Sequence, residues 1–235
     1  MIIYIGDTHG DLNFIYGVIH KYPACNIIQL GDFGIGFKGM MESEQYALLE
    51  TTLRNTYTNL YIIRGNHDNP KYFNGDFMEG PIKLVPDYTV LELEGKRIFC
   101  LGGGISIDRS YRTLNVSYWK DEKILYDKER LQKIEKIDYV ASHSAPDFCK
   151  PKGVNSDIVN QWCFWDKTLR QELIEERHLI AKIFYSLNER NKIRGWFYGH
   201  FHLTDTTIKD KVLFKALGIN QIYTLDVTAD KKTSK

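Results

Sequence analysis

Five short, mostly apolar runs recur along the chain, and polar residues follow each of them directly. The runs are residues 2–5, 27–30, 60–63, 139–142 and 195–198. Runs of about four bulky residues without polar alternation are typical of strands buried on both faces. Because the carboxyl ends of parallel strands meet at one edge of a sheet, the polar residues that follow them are predicted to converge there.

The residues after these runs are of types that bind transition metals. Seven are candidate ligands: Asp7, His9, Asp32, Asn66, His143, His200 and His202. Mixed imidazole, carboxylate and amide donors favour Mn, Fe, Zn, Co or Ni over Ca or Mg, and Mn is the metal expected to serve best in vitro. Two divalent or trivalent cations about 3.5 to 4 Å apart would suit phosphate-ester hydrolysis. A carboxylate must then bridge them, and Asp32 is the candidate.

The order Asp-x-His, Gly-Asp, Gly-Asn-His-Asp, His and Gly-His-x-His resembles that of the calcineurin-like metallophosphoesterases, from Gly6 to His202. Each motif alone would indicate only a turn or a hydrogen-bonded histidine, whereas all five in order are far more specific. The resemblance implies an α/β fold, a two-sheet layered metallophosphoesterase sandwich of mixed sheets flanked by helices. We expect one such domain over residues 1–235.

The resemblance also implies a role for each site residue. One metal would be held by Asp7, His9, Asp32 and His202, and the other by Asp32, Asn66, His143 and His200. His67 would stay free of metal and donate a proton to the leaving oxygen. The implied reaction is in-line attack on phosphorus by a metal-bound hydroxide, without a covalent enzyme intermediate. The Asn66 amide would also reach a phosphate oxygen.

Three positions near these motifs indicate how closely the chain resembles the protein-phosphatase branch of the family. Arg64 matches the arginine of the protein-phosphatase branch, and it either binds a phosphate oxygen or forms a surface salt bridge. Ile35 stands where that branch has a second aspartate, so the sequence leaves open which group adjusts the acidity of the His67 imidazole. Asp68 replaces a glutamate and either orients a neighbour or caps the next segment. These departures argue against a close protein serine/threonine phosphatase.

Two segments are candidates for substrate selection. Residues 102–112 form a glycine-rich exit from a predicted strand, where Arg109 or Arg112 would bind a second phosphate or a carboxylate of the substrate, or else remain a surface arginine. Residues 146–165 form a predicted lid insertion. Its aromatic residues either stack on a nucleobase or pack the lid against the body, together with two aromatics earlier in the chain: Trp162, Phe164 and Trp165, with Tyr118 and Trp119.

Periodicity between the motifs predicts further elements. Helices are expected over residues 41–55, 127–136 and 166–191, and strands over 89–93, 97–101, 207–214 and 222–227. His20 and His178 lie outside the motifs, in or after helical stretches, and are predicted to be solvated or capping residues. The four cysteines show no Cys-x-x-Cys spacing and are predicted to be reduced, with a Cys149–Cys163 disulfide as the alternative.

Composition bounds the partners. The net charge of +1 predicts no strong general affinity for nucleic acid. No apolar run approaches the roughly 20 residues that span a bilayer, so no membrane partner is expected. Because Met1 directly precedes the first predicted strand, we expect no signal peptide and a cytoplasmic location. The basic residues 231–235 are predicted to fray, and the sequence does not indicate an oligomeric state.

These observations lead to one functional hypothesis and two alternatives. The chain is predicted to be a metal-dependent phosphoesterase that hydrolyses a small phosphorylated substrate, either a phosphomonoester or a small phosphodiester. The alternative within the same class is a nuclease or a cyclic-nucleotide phosphodiesterase. The alternative outside it is a non-catalytic scaffold, which the presence of every metal position and of His67 disfavours.

Overall fold

The computed structural model describes residues 1–37 and 43–226. In these residues the strands are Ile2–Ile5 (β1), Asn26–Gln29 (β2), Asn59–Ile63 (β3), Ile82–Val85 (β4), Val90–Leu93 (β5), Lys96–Leu101 (β6), Tyr139–Ser142 (β7), Gly195–Tyr198 (β8), Asp205–Lys209 (β9), Val212–Ala216 (β10) and Ile222–Leu225 (β11). The α-helices are Leu12–Lys21 (α1), Glu44–Asn55 (α2), Lys128–Gln132 (α3), Ser156–Trp165 (α4) and Leu169–Asn188 (α5).

The strands form two mixed sheets. The first has the order β11-β1-β2-β3-β4, with β1 to β4 parallel and β11 antiparallel to β1. The second has the order β5-β6-β7-β8-β10-β9, with β6, β7, β8 and β10 parallel and an antiparallel strand at each edge. All five apolar runs of the sequence lie in interior strands, where both faces are covered.

The two sheets pack face to face between two layers of helices. Alternate side chains of β1, such as Tyr4, meet Phe197 of β8 in the core between the sheets. The other side chains of β1, such as Ile3, pack against α1 and α2 on the outer face of the first sheet. Helices α3 and α5 cover the outer face of the second sheet in the same way. The predicted α/β sandwich is therefore confirmed.

Side chains of residues just before the helices fix where several of them begin. The Asp11 carboxylate accepts a hydrogen bond from the backbone N–H of Phe14 at the start of α1. Ser43 does the same for Tyr46 at the start of α2. Such caps satisfy backbone donors that the first turn of a helix leaves free. The α1 cap therefore fixes where the loop that carries Asp7 and His9 ends and the helix begins.

Several predicted boundaries differ from the structure. The predicted helix 166–191 begins only at Leu169, because the Asp166 carboxylate accepts hydrogen bonds from the backbone N–H groups of Thr168 and Leu169 and so ends one helix and starts the next. The predicted strand 207–214 is a hairpin, β9 and β10, with Asp210 and Lys211 at positive φ in the turn. The predicted helix 127–136 shortens to α3.

Other differences concern missed or undescribed residues. The sequence interpretation missed β4 and assigned no bounds to α1. Residues 41 and 42 of the predicted helix 41–55, residue 227 of the last predicted strand, and the basic residues 231–235 lie outside the described residues. Among the described residues, none of the helices combines the length and the apolar character needed to cross a bilayer.

Candidate metal centre

A first cluster of donor atoms lies where β1 and β8 end. Nε2 of His9 and Nε2 of His202 are 3.0 Å apart, and Nε2 of His202 lies 3.2 Å from Oδ2 of Asp7. Oδ2 of Asp32 lies 4.0 Å from Nε2 of His9. One donor atom from each of these four residues lies within 4.8 Å of one from every other. Their lone pairs can therefore meet on a single cation.

A second cluster adjoins the first and collects the other candidate ligands. Oδ1 of Asn66 lies 3.0 Å from Nε2 of His143 and 2.9 Å from Nδ1 of His200. The two histidine nitrogens are 3.2 Å apart. Oδ1 of Asp32 lies 3.4 Å from Nε2 of His143. Asp32 thus turns one carboxylate oxygen towards each cluster, and the structure brings all seven sequence candidates together.

Four of the candidate ligands adopt a backbone conformation that side chains seldom take. The φ angles of His9, Asp32, His200 and His202 are 46°, 60°, 70° and 56°. Left-handed conformations at such residues are unfavourable and persist only where the surrounding structure holds them. Among the described residues thirteen non-glycine positions have positive φ, and these four of them lie where the donor atoms converge.

Asp68 holds the loop that carries Asp32. Its buried carboxylate accepts hydrogen bonds from backbone N–H groups after β2 and β3, at 2.7 to 3.3 Å: Asp32, Phe33, Gly34, Ile35 and Gly65. Five donors on one carboxylate form an anion-binding nest built by the backbone. Of the two sequence interpretations of Asp68, orientation of a neighbour describes this arrangement, and the next segment instead takes its cap from Asn69.

Two of the motif glycines make room for the ligands. A Cβ atom at Gly199 would overlap Oδ1 of Asp7, and one at Gly65 would overlap the Asp32 carboxylate. The backbone N–H of His200 donates to Oδ1 of Asp7 at 2.9 Å. The glycine before His200 therefore lets the β8 loop approach the β1 carboxylate closely enough for both ligands to share one site.

The electrostatics of the two clusters suit a cation. Burial, followed by the charges of Asp7 and Asp68, raises the pKa of Asp32 well above its usual value. Burial also opposes ionisation of Asp7, but the hydrogen bond from His202, the charge of His143 and the backbone N–H of His200 together outweigh it and lower the pKa of that carboxyl. Burial lowers the pKa of His200 to about 3, which keeps its imidazole neutral and able to ligate. A positive ion would offset the repulsion between the two carboxylates.

The orientation of the Asn66 amide is set by residues that the sequence interpretation missed. Nδ2 of Asn66 donates to the hydroxyl of Ser106 at 3.0 Å. That hydroxyl donates to the Glu122 carboxylate at 2.7 Å, and the Ser106 N–H donates to the same carboxylate. With its N–H group engaged, the Asn66 amide must present its oxygen to His143 and His200. Glu122 is fully buried, and burial raises its pKa to about 7.

His67 faces the same opening but contacts Arg112 as well as the clusters. Its Nε2 lies 4.0 Å from Oδ2 of Asp32 and 2.7 Å from Nη2 of Arg112. Arg112 in turn pairs with Asp108, with Nε 2.7 Å from Oδ1. Of the two arginines considered in the glycine-rich segment, Arg112 is the one that reaches the centre. Ile35 is fully buried in the core, so the charged neighbour of His67 comes from this segment instead.

The structure corrects the prediction that Arg64 binds substrate. Arg64 is 3% exposed. Its guanidinium donates to the Asp87 carboxylate and to the backbone carbonyls of Asp121, Glu122 and Lys123. These contacts use all five guanidinium donors. The alternative of a surface salt bridge is also wrong, because the pair with Asp87 is buried. Arg64 instead ties β3 to the segment that positions Glu122.

Arg109 likewise lies away from the centre. Its guanidinium pairs with Asp166 and Glu172, each at 2.6 Å, and these hydrogen bonds raise its pKa. It also donates to the Thr168 hydroxyl at 3.1 Å. Arg109 therefore fastens the junction between α4 and α5 to the glycine-rich segment, in place of the predicted contact with substrate.

The predicted lid segment contains α4, and its aromatics do not all share one role. Tyr111 meets Trp162 and Trp165, with ring centroids 5.3 Å and 5.9 Å away. Phe164 and Trp165 are largely exposed, whereas Trp119 is buried. Packing of the lid against the glycine-rich segment thus describes Trp162 and Trp165.

The described residues line a cleft of about 820 Å³ that is open to solvent and contains residues of both metal clusters. One end is lined by residues of the two clusters and their neighbours: His9, Asp32, Asn66, His67, Arg112, His200 and His202. The other end is lined by α4 and the first turns of α5.

The two histidines outside the motifs lie away from the donor clusters. Nε2 of His178 is 3.1 Å from the Asp147 carboxylate, and His20 lies in the last turn of α1. All four cysteines are described and are free thiols, so the Cys149–Cys163 disulfide does not form.

A metal-binding α/β sandwich with two donor clusters sharing one carboxylate defines a class of hydrolytic proteins. A family model described as calcineurin-like phosphoesterase matches residues 1–203 of this chain. The match spans most of the sequence and all seven candidate ligands. The chain therefore belongs to the calcineurin-like phosphoesterase family, whose members are metal-dependent phosphoester hydrolases, and the family resemblance seen in the motifs is confirmed.

Comparison with solved structures finds similar chains at low sequence identity and low TM-score. A phosphopantetheinyl hydrolase from Mycobacterium tuberculosis is 16% identical over 93% of this chain and 89% of its own, with a TM-score of 0.44. A 5'-nucleotidase precursor from Thermus thermophilus is 13% identical over 96% and 51%, with a TM-score of 0.43. A predicted phosphoesterase from Streptococcus pneumoniae is 14% identical over 93% and 71%, with a TM-score of 0.36. No curated protein sequence matches the chain.

Proposed function

We propose that this protein hydrolyses a small phosphate ester, a phosphomonoester or a small phosphodiester, with two divalent cations held at the two clusters. The single observation that supports this most is the position of Asp32. Its Oδ2 belongs to the cluster with Asp7, His9 and His202, and its Oδ1 lies 3.4 Å from Nε2 of His143 in the other. A carboxylate shared in this way is what a closely spaced metal pair requires.

The donor sets fit transition metals. The first cluster offers two imidazoles and two carboxylates, and the second offers two imidazoles, one amide oxygen and the shared carboxylate. Such nitrogen and oxygen sets suit Mn, Fe, Zn, Co or Ni, with Mn our choice for assays in vitro. When bound, the pair would supply Lewis-acid polarisation of the phosphoryl group and activation of water.

The chain's own residues would bind and orient the ester. Arg112 and His67 stand beside the clusters and would contact phosphoryl oxygens, with Arg112 supplying a fixed positive charge. The Asn66 amide is held by Ser106 with its oxygen towards the metal side. Ile105, buried at the same wall, limits the access of bulk water behind the ester. His67 remains our candidate for protonating the leaving oxygen.

Metal-loaded protein tests the proposal directly. We expect hydrolysis of aryl phosphates that depends on added Mn²⁺, and about two metals per chain by elemental analysis. Comparison of mono-aryl with bis-aryl phosphate turnover separates a phosphatase from a diesterase such as a cyclic-nucleotide phosphodiesterase or a nuclease. A metal-loaded sample inactive on aryl phosphates, nucleotides and phosphopeptides would support the scaffold alternative instead.

Replacement of the shared carboxylate tests whether the two cations depend on Asp32. Asp32→Asn should lose metal from both clusters and with it the activity, because an amide cannot bridge two cations as a carboxylate does. Asp76→Asn is the matched control, since Asp76 is exposed and its carboxylate accepts from neighbouring Asn74. If Asp32→Asn retained two metals per chain, the shared role of Asp32 would be wrong.

A further inference from the structure

The cavity that opens on the metal clusters continues well beyond the space that a phosphoryl group would fill. Its volume of 820 Å³ lies within the range of about 300 to 1,000 Å³ that holds drug-sized ligands. The polar residues of the centre occupy one end only. The remaining space must therefore take the part of the substrate that carries the phosphate.

The wall away from the clusters is mainly apolar, with polar residues such as Lys150, Asn155 and Ser156 among its lining. Helix α4, helix α5, the loop before α4 and the loop after β8 all contribute side chains: Val154, Ile158, Val159, Trp162, Leu173, Ile174, Phe201 and Leu203. Ile107 of the glycine-rich segment joins this wall close to Arg112. Hydrocarbon side chains from four separate segments thus face one another across the cavity.

Apart from Trp162 and Trp165, which meet Tyr111, the apolar side chains of α4 are left partly or largely exposed. Structure is described for the whole of α4, and none of its residues is buried. Ile158 is 46% exposed, and Ile174 across the cavity on α5 is 45% exposed. Two isoleucines left in water on facing helices are unfavourable, and an apolar occupant would bury both. Arg109 pairs with Asp166 between the two helices and with Glu172 of α5, so the junction of the helices is tied to the glycine-rich segment.

Both arginines that line the cavity beside α5 are engaged with the protein. Arg177 donates to the carbonyls of Pro146 and Asp147 and lies over the Phe201 ring. Arg170 donates to the Asn160 side chain at 2.6 Å. These contacts occupy the two guanidinium groups, whereas α4 and α5 contribute hydrocarbon side chains to the cavity. The occupant that fits is therefore apolar in its middle and anionic only at the metal end.

We propose that the substrate is a phosphate ester of an apolar alcohol, whose hydrocarbon or aromatic group lies between α4 and α5. This inference rests on the proposed function, because the metal clusters fix which end of the cavity receives the phosphate. The distal chamber, defined by Ile158, Val159, Trp162, Leu173 and Ile174, is the binding site for that group. Two alternatives must be distinguished from this binding site. A protein partner could cover the same apolar side chains, or they could stay exposed to solvent.

A series of alkyl phosphates of increasing chain length tests whether the chamber binds hydrocarbon. The metal-loaded protein is given ethyl, butyl, hexyl and octyl phosphate below micelle-forming concentration, and phosphate release is followed. Each methylene that enters the chamber should raise kcat/KM by up to about fourfold. We expect at least a tenfold rise from ethyl to octyl phosphate. Equal kcat/KM along the series would overturn the inference and leave the proposed function standing.

Binding provides a readout that does not need turnover. Calorimetric titration of the metal-loaded protein compares ethylphosphonate with octylphosphonate, which are not hydrolysed. Tighter binding of octylphosphonate, with a negative heat-capacity change, marks burial of hydrocarbon. If no ester is hydrolysed but octylphosphonate still binds at least tenfold more tightly, the chamber is supported and the proposed function fails. Equal affinities for the two phosphonates, together with no hydrolysis of any ester, would contradict both the chamber and the proposed function.

Substitutions in the chamber test whether its residues cause the dependence of kcat/KM on chain length. Ile158→Asn should reduce the octyl-to-ethyl ratio at least threefold, and Ile174→Asn serves as a second variant should the first fold poorly. Ile208→Asn is the matched control, because Ile208 is 74% exposed on β9 and does not line the cavity. A chain-length effect that persists unchanged in both Ile158→Asn and Ile174→Asn would place the hydrocarbon elsewhere and refute the assignment.

Discussion

The Arg112 guanidinium lies against the His67 imidazole, with Nη2 2.7 Å from Nε2 and Nη1 3.2 Å from Nδ1. A neutral imidazole has a single acceptor nitrogen, so only one of these contacts can be a hydrogen bond at a time. Burial and then the charge of Arg112 lower the pKa of His67 to about 2. His67 is therefore held neutral until an anion enters, and a phosphate between the two would offset the charge that opposes its protonation.

We expect His67 and Arg112 to act as one unit on the phosphoryl group. His67→Ala and Arg112→Ala should each lower kcat/KM about 100-fold, with the metal content unchanged. The double variant should lose far less than the product of the two effects, because each residue orients the other. Kinetics with elemental analysis on all three variants checks this.

The control for this pair is Arg54→Ala, which removes an exposed arginine of α2 that pairs with Glu50. Its kcat/KM should stay close to that of the original protein. Independent action of His67 and Arg112 would appear as fully multiplicative losses in the double variant. In that case the contact between them would have no functional meaning.

Ser106 should control the affinity of the second metal. Ser106→Ala removes the acceptor of the Asn66 N–H group, so the amide can rotate and present nitrogen in place of oxygen. Loss of such an orienting contact typically weakens metal affinity about 10- to 100-fold. Titration with Mn²⁺ should show a weakened second binding step and an unchanged first one. Ser110→Ala, an exposed serine of the same segment, is the control, and equal binding curves for both variants would contradict this role.

Asp68 should contribute to stability before any metal binds. Asp68→Asn replaces a carboxylate that accepts five backbone N–H groups by an amide, whose nitrogen cannot accept. We expect the free energy of unfolding to fall by about 3 kcal/mol. Urea denaturation in the presence of a chelator measures it. Asp76→Asn should change stability by less than about 0.5 kcal/mol, and a similarly small effect for Asp68→Asn would show that the nest is dispensable.

The buried carboxyl of Glu176 should make stability depend on pH. Burial raises its pKa from 4.5 to about 7, and among the described residues its Oε1 has no hydrogen-bond partner. Between these pH values the folded protein binds more protons than the unfolded chain, so the free energy of unfolding falls as pH rises. Relative to Glu176→Gln, the original protein should lose up to about 3 kcal/mol from pH 4.5 to pH 7.

Urea denaturation of the chelated protein across this pH range measures the difference. Glu175→Gln is the control, because Glu175 is the exposed neighbour on α5 and contacts Gln171. It should follow the original protein at every pH. Parallel curves for Glu176→Gln and the original protein would show that Glu176 ionises normally in the fold.

The motifs after the apolar runs were enough to identify the family, and that resemblance implied the two-sheet sandwich. Asp7, Asp32, Asn66 and His143 follow parallel strands, so local periodicity fixed the edge at which they meet. The roles of the arginines were not predictable in this way. Arg64 and Arg109 each form long-range pairs, with Asp87 and with Glu172, that lie 23 and 63 residues away in the chain. No local pattern encodes such pairs.

The sequence by itself determined the donor atoms and the five apolar strands that precede them, because both depend on short stretches of residues and on the chemistry of each side chain. Only the tertiary structure decided which arginine reaches His67, which hydroxyl orients Asn66, and where α4 leaves its apolar residues uncovered. These features depend on distances between segments far apart in the chain, and such distances are set by how the layers pack.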